Sequence, residues 1–205
     1  MRIVCLGCSI TAGYGVSREE SWVELLSVMT GHLWINAGIC GDTTGGMLAR
    51  LDKSVFSHNP DAALIMGGTN DILSCGSWEC AKPNIMAMVH QCVSRGVKPV
   101  IGVPLPISPY APSSYKSFLD IKTASAQMSF YSEWLRLFAS ELRLRTVDFA
   151  SSYEKFAETF GWDRAYLSDG LHPTAEGHIV MAKTAADKKF FRVTDRSSVS
   201  EQAAE

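Results

Sequence analysis

The sequence has almost no net charge: 19 basic residues stand against 21 acidic ones, leaving −2 with histidine neutral. Without a cationic excess little can neutralise a phosphate backbone, so nucleic acid is not expected as a partner. No apolar stretch approaches the length that crosses a bilayer. The first residues enter a strand pattern directly, without the basic, apolar and small-residue segments of a signal peptide. No membrane span and a cytoplasmic location are therefore expected. Repeats and a domain linker are missing as well. A chain of 205 residues at 46% hydrophobic composition then reads as one domain over 1–191, followed by a polar, frayed tail over 192–205.

Six cysteines are present: Cys5, Cys8, Cys40, Cys75, Cys80 and Cys92. A core of this size needs no disulfide staples, so they are expected to be reduced and mostly buried. Cys5 and Cys8 have redox spacing, but a reactive pair needs its first thiol exposed at a helix start, and Cys5 falls within an apolar strand. Cys75 and Cys80, four residues apart in between, make a weak zinc pair with no second pair at ligand spacing.

Strand and helix patterns alternate along the chain. Arg2 to Leu6 is a β-branched apolar run of the kind buried on both faces of a parallel sheet. Ser17 and Glu20 form a capping box, after which Trp22, Leu25, Leu26 and Met29 recur at helical spacing until Gly31. A second strand over Leu33 to Asn36 leads to a helix from Thr43 to about Lys53 with Met47, Leu48 and Leu51 inward. Ala62 to Met66 is a wholly apolar third strand. A helix from Lys82 to Arg95 turns Ile85, Met88, Val89 and Cys92 to one side and ends at Gly96, before a fourth strand over Pro99 to Val103. Four prolines between Pro104 and Pro112 exclude both helix and ladder pairing, so a long loop is expected at the site rim, with Tyr110 and Tyr115 on it. Ile121, Met128, Tyr131, Leu135, Phe138 and Leu142 make a helical stripe from about Ser117 to Leu142. Thr146 to Phe149 is read as a fifth strand and Thr174 to Phe191 as the last helix. Such alternation implies a parallel sheet covered by helices on both faces.

Loops that follow strand ends in an open α/β sheet are where ligands bind. Ser9 stands in such a loop, within Gly7-Cys8-Ser9-Ile10. Alone it is also compatible with a plain Gly/Ser turn or a phosphate cradle, although no lysine follows at Walker spacing. Asp169-Gly-Leu-His172-Pro173 precedes the final helix. A carboxylate three residues before an imidazole can reach its Nδ1–H and leave Nε2 free to accept a proton, and Pro173 stiffens the anchor. The Asn36 to Thr43 block follows the second strand, and Gly68-Thr-Asn70-Asp71 follows the third. Ester hydrolysis needs several donors aimed at one developing oxyanion. The N–H of Ser9, the N–H of Gly41 and the amide of Asn70 are candidates, with glycine at 41 allowing close backbone approach.

These four blocks, in this order from Gly7 to Pro173, resemble the GDSL-type or SGNH hydrolases. The resemblance implies a three-layer α/β/α sandwich, flavodoxin-like, around a central parallel five-stranded sheet. It implies serine esterase, lipase, thioesterase or carbohydrate-deacetylase chemistry on a small-molecule ester, with no cofactor and no metal. By matching motif positions, Ser9 is the nucleophile, His172 the base and Asp169 its orienting acid, with Ser9, Gly41 and Asn70 as the oxyanion hole. Asn36 and Asp71 match loop-supporting positions. One departure stands out: the family motif has Asp where this chain has Cys8. A thiol accepts hydrogen bonds far more weakly, so a less tightly held loop is expected before Ser9. His32, His58, His90 and His178 are expected to be structural or solvated, and Asp148 is the strongest competitor to Asp169. Two other functions share the scaffold, a non-catalytic binding module and a flavodoxin-like nucleotide binder.

Overall fold

The computed structural model describes residues 1–112 and 120–186. The expected tail at 192–205, the ends of two expected helices at 117–119 and 187–191, and Tyr115 lie outside them. In chain order, β1 (Arg2–Gly7) leads through the short α1 (Ser9–Ala12) to α2 (Trp22–Thr30) and β2 (Leu33–Gly38). Then come α3 (Thr44–Ala49), α4 (Leu51–Ser54), β3 (Ala62–Met66), α5 (Thr69–Cys75), α6 (Lys82–Ser94) and β4 (Lys98–Val103). The remainder is α7 (Ile121–Glu141), β5 (Arg145–Asp148), α8 (Phe149–Phe160), α9 (Trp162–Ala165) and α10 (Ala175–Ala185).

The five strands form one sheet in the order β2-β1-β3-β4-β5, every neighbouring pair parallel. Side chains alternate across it, as the two-residue period requires. Val4, Leu6, Ala63, Ile65, Ile101 and Val103 face a cluster built with Met47, Leu51, Ile85, Met88, Val89, Met128, Tyr131 and Leu135. Ile3, Cys5, Leu64, Met66 and Val100 face the opposite cluster, built with Trp22, Val23, Leu26, Phe149, Tyr153, Met181 and Ala182. This is the expected three-layer α/β/α sandwich. Because β2 and β3 lie on opposite sides of β1, the chain leaves the middle of the sheet in two directions. The loops after β1 and β3 diverge there and open a crevice at the strand ends.

Several expectations need correction. The Ser17/Glu20 capping box is present, but it opens a 3₁₀ turn over Arg18–Glu20, and α2 begins only at Trp22. Met29 is 44% exposed, because α2 buries the face of Trp22, Val23 and Leu26 and Met29 lies off it. The helix expected from Thr43 to Lys53 breaks at Arg50, whose side chain is drawn inward. Leu142 caps α7 and is exposed. Phe149 is the first residue of α8 rather than the last of β5, since the Asp148 carboxylate caps the helix by accepting the Ser151 N–H. The short α1 and α5 and the helices α8 and α9 carry no counterpart in the sequence reading. Half the cysteines, Cys40, Cys75 and Cys80, are exposed rather than buried. The described part of the proline loop does not rim the crevice. It backs the Asp169 loop instead, through Ser108 N–H to Gly170 O (2.9 Å) and Tyr166 Oη–H to Pro106 O (2.5 Å).

Candidate active site

Ser9 is the first residue of α1, and the preceding Cys8 occupies the N-cap. The tight exit from β1 into α1 depends on Gly38 of the neighbouring strand. A Cβ there would lie 2.2 Å from the Ala12 nitrogen, a backbone atom that cannot yield. Ser9 Oγ lies 2.8 Å from His172 Nε2, across 163 residues of sequence. His172 Nδ1 lies 2.6 Å from Asp169 Oδ2. The other oxygen of that carboxylate accepts the N–H groups of Leu171 (2.9 Å) and His172 (3.0 Å). Partial burial works to raise the Asp169 carboxyl, but the His172 and Leu171 N–H groups and the His172 ring outweigh it and hold it below the ordinary carboxylate range. An ionised Asp169 accepts a hydrogen bond from Nδ1–H and so holds the proton on that nitrogen, which leaves Nε2 as an acceptor for the Ser9 hydroxyl.

A cleft of about 420 Å³ opens beside this chain of bonds. Ser9, Gly41 and Asn70 line it together, from the loops after β1, β2 and β3. Gly41 takes φ 79°, in the left-handed region, with no protein atom within 4 Å of a Cβ position. Within the protein, then, backbone conformation rather than crowding asks for glycine here. One amide hydrogen of Asn70 goes to Asp42 O at 2.8 Å. Its second N–H remains for the cleft.

Asp71 is buried and holds Thr44 through both its N–H (2.9 Å) and its hydroxyl (2.5 Å), tying the first turn of α5 to the first turn of α3. Asn36 accepts the Gly38 N–H at 3.0 Å within the end of β2 and does not line the cleft. Cys8 makes no cap hydrogen bond through its side chain and packs into the apolar cluster with Ile10 and Trp22. Burial pushes its thiol up, which keeps it neutral and unsuited to replace Ser9 as a nucleophile.

Arg50 supplies a restraint that the sequence reading missed. Its guanidinium donates from Nε to Asp42 Oδ2 (2.7 Å) and from Nη2 to Gly7 O (3.0 Å). One side chain thus joins the last residue of β1 to the residue after Gly41. The available signal was a cation in the middle of an otherwise amphipathic helical stretch, too common on solvated faces to single out. Tyr14 is the second omission: its ring lies 4.4 Å from the His172 ring, centroid to centroid, at the cleft edge. Asp148 does not compete with Asp169, since it pairs with Arg136 and caps α8. His178 is fully buried. Cys75 and Cys80 remain free, and among the described residues no group of metal-ligating side chains converges. Nor does any helix among them have the length and apolarity to cross a membrane.

A parallel α/β/α sandwich with serine, histidine and aspartate bonded in series at its strand ends defines a serine-hydrolase type of site. The chain belongs to the GDSL-like lipase/acylhydrolase family, whose model matches residues 5–180. An arylesterase from Vibrio mimicus is 30% identical over 195 residues, covering 91% of this chain and 87% of that protein. Esterase TesA from Pseudomonas aeruginosa is 29% identical over 130 residues, 60% of this chain and 64% of that one. A lipolytic G-D-S-L family protein from Veillonella parvula shares the fold, with a TM-score of 0.77 at 22% identity over 94% of this chain and all of the other. The protein is an esterase/lipase-type enzyme that hydrolyses esters. A non-catalytic module or a nucleotide binder is not favoured.

Proposed function

We propose that the enzyme cleaves carboxylic esters by two-step acyl transfer through an acyl-serine at Ser9. His172 Nε2 takes the hydroxyl proton as Ser9 Oγ bonds to the ester carbonyl carbon, and the carbonyl oxygen becomes an oxyanion. The Ser9 and Gly41 N–H groups and the free Asn70 N–H receive that charge. As the carbon–oxygen bond to the alcohol breaks, the imidazolium returns its proton to the leaving alkoxide. Water then attacks the acyl-serine by the same route, releasing the acid and restoring Ser9. The single observation that carries this reading is the hydrogen-bonded series Ser9–His172–Asp169, at 2.8 and 2.6 Å, opening on the cleft with Gly41 and Asn70.

A cleft of about 420 Å³ is toward the small end of ligand sites, which run from about 300 to 1,000 Å³. That supports short-chain acyl esters ahead of lysophospholipids, with acetylated carbohydrates as the second class to test. The name of the Vibrio relative, an arylesterase, supports aryl esters as first substrates. The same reading keeps the enzyme in the cytoplasm, where its six free thiols stay reduced. A fluorophosphonate should label Ser9 stoichiometrically, and Ser9→Ala should lower p-nitrophenyl acetate turnover by several powers of ten. Near wild-type turnover in Ser9→Ala would overturn the mechanism. Esters of increasing acyl length, assayed beside acetylated sugars, decide the substrate class.

A further inference from the structure

We infer that Tyr14 takes part in the acid–base step: its aromatic ring stabilises the His172 imidazolium that forms when Ser9 gives up its proton. This rests on the acyl-serine reading above, in which His172 is the base. The two ring centroids are 4.4 Å apart and the planes are tilted by 44°, well inside the range of about 6 Å over which an aromatic face attracts a cation. The neutral imidazole gains little from that quadrupole and the imidazolium gains more, so the contact favours the state present in the transition state over the ground state.

The backbone is arranged to keep the ring there. Tyr14 is 51% exposed, so burial does not fix it. It is instead flanked by Gly13 at φ 86° and Gly15 at φ 85°, and its own N–H donates to Ser9 O at 3.0 Å. On the other side, a Cβ at Gly15 would lie 2.3 Å from Leu167 Cδ1. Leu167 in turn donates its N–H to His172 O at 2.8 Å. The Gly13–Gly15 turn is thereby joined to the serine through a hydrogen bond and to the histidine loop through packing, which sets the ring between two segments more than 150 residues apart.

The other groups facing His172 leave this role open. Asp169 is bonded at Nδ1 and Ser9 at Nε2. Cys8 contributes a neutral buried thiol at the cleft. From α10, His178 acts on His172 through a coulombic interaction, and burial keeps it neutral near pH 7, with Glu20 acting on it in the opposite sense. Tyr14 is the aromatic ring packed against the imidazole, 4.4 Å away between centroids.

The test is the pH profile of kcat/KM for p-nitrophenyl acetate in the full chain carrying Tyr14→Phe, Tyr14→Leu, and mono-, di- and trifluorophenylalanine at position 14. Phenylalanine should retain most of the activity. Leucine should lower the plateau about two- to fivefold and move the acid limb about half a pH unit lower. Each added fluorine, which withdraws ring electrons without changing shape much, should lower the plateau further in sequence. A flat fluorine series with an unmoved acid limb would overturn the proposal, even if leucine is impaired by loss of packing or fails to fold. His172→Ala in the same assay separates the two readings. If it keeps its turnover, the acyl-serine mechanism fails; if it is inactive while the fluorine series is flat, only the role of Tyr14 fails.

Discussion

His178 should make the enzyme sensitive to mild acid, and the size of the effect follows from its surroundings. The residue is fully buried in α10, six positions after His172, and its Nδ1 accepts the Trp22 N–H at 3.3 Å, joining α10 to the start of α2. Burial pushes its pKa down from 6.5 to about 4, with Glu20 pulling the other way and His172 adding slightly to the fall. Between those two values the unfolded chain binds a proton that the native state refuses. Stability therefore declines as pH drops below about 7 and levels off below about 4. The whole interval corresponds to about 3 kcal/mol, of which about 2 kcal/mol is lost between pH 7 and pH 5. Against a total of about 5–15 kcal/mol this is a large share. With a urea slope of about 2–3 kcal/mol/M, the wild-type unfolding midpoint should fall by about 0.7–1 M over that range through His178 alone. His178→Gln supplies a neutral acceptor for the Trp22 N–H without the titration, so its midpoint should fall correspondingly less. Equal falls in the two proteins would show that His178 carries its proton in the native state, and the argument from burial would be wrong.

Two further outcomes test the cleft. Asn70→Ala should lower kcat about a hundredfold to a thousandfold, as loss of one oxyanion donor does; steady-state turnover that is unchanged would remove Asn70 from the oxyanion hole. Arg50→Met strands the half-buried Asp42 carboxylate and frees Gly7 O, which should cost about 2–3 kcal/mol and lower the melting temperature by about 5–10 °C. Its kcat should fall at least about tenfold with KM little altered, since an ångström of misplacement in the oxyanion loop is enough for that. A variant that loses stability but keeps kcat would reduce Arg50 to a purely structural support.

The strands were legible because apolar β-branched runs bounded by glycine leave little else to be. Ala62–Met66 begins and ends where the pattern says, three others differ by one or two residues at one end, and the fifth is shifted by one residue at both ends. Capping chemistry was legible in kind but not in extent: the Ser17/Glu20 box exists, yet it starts a 3₁₀ turn. The helix over 149–160 carries its own signals, with Asp148 and Ser151 at cap spacing and Phe149, Tyr153 and Ala157 repeating on one face, but a strand pattern that runs through Phe149 masks its start. Short helices such as Ser9–Ala12 and Thr69–Cys75 have too few turns to show a period, and they form because the sheet delivers their first residues in place.

What the sequence determined by itself was the set of candidate site residues and their position in the fold: Ser9, Gly41, Asn70, Asp169 and His172 each follow a strand or precede a helix in a motif short enough to read. Local spacing even fixed the Asp169–His172 bond, because three residues suffice to bring those side chains together. Only the tertiary structure decided that Ser9 Oγ meets His172 Nε2 across 163 residues, and that Gly41 and Asn70 face the same cleft. It also decided that Arg50 grips Asp42 and Gly7 together and that Tyr14 lies on the imidazole. Those contacts depend on the order in which parallel strands are laid side by side. Strand order is set by packing across the whole sheet, and no local run of residues encodes it.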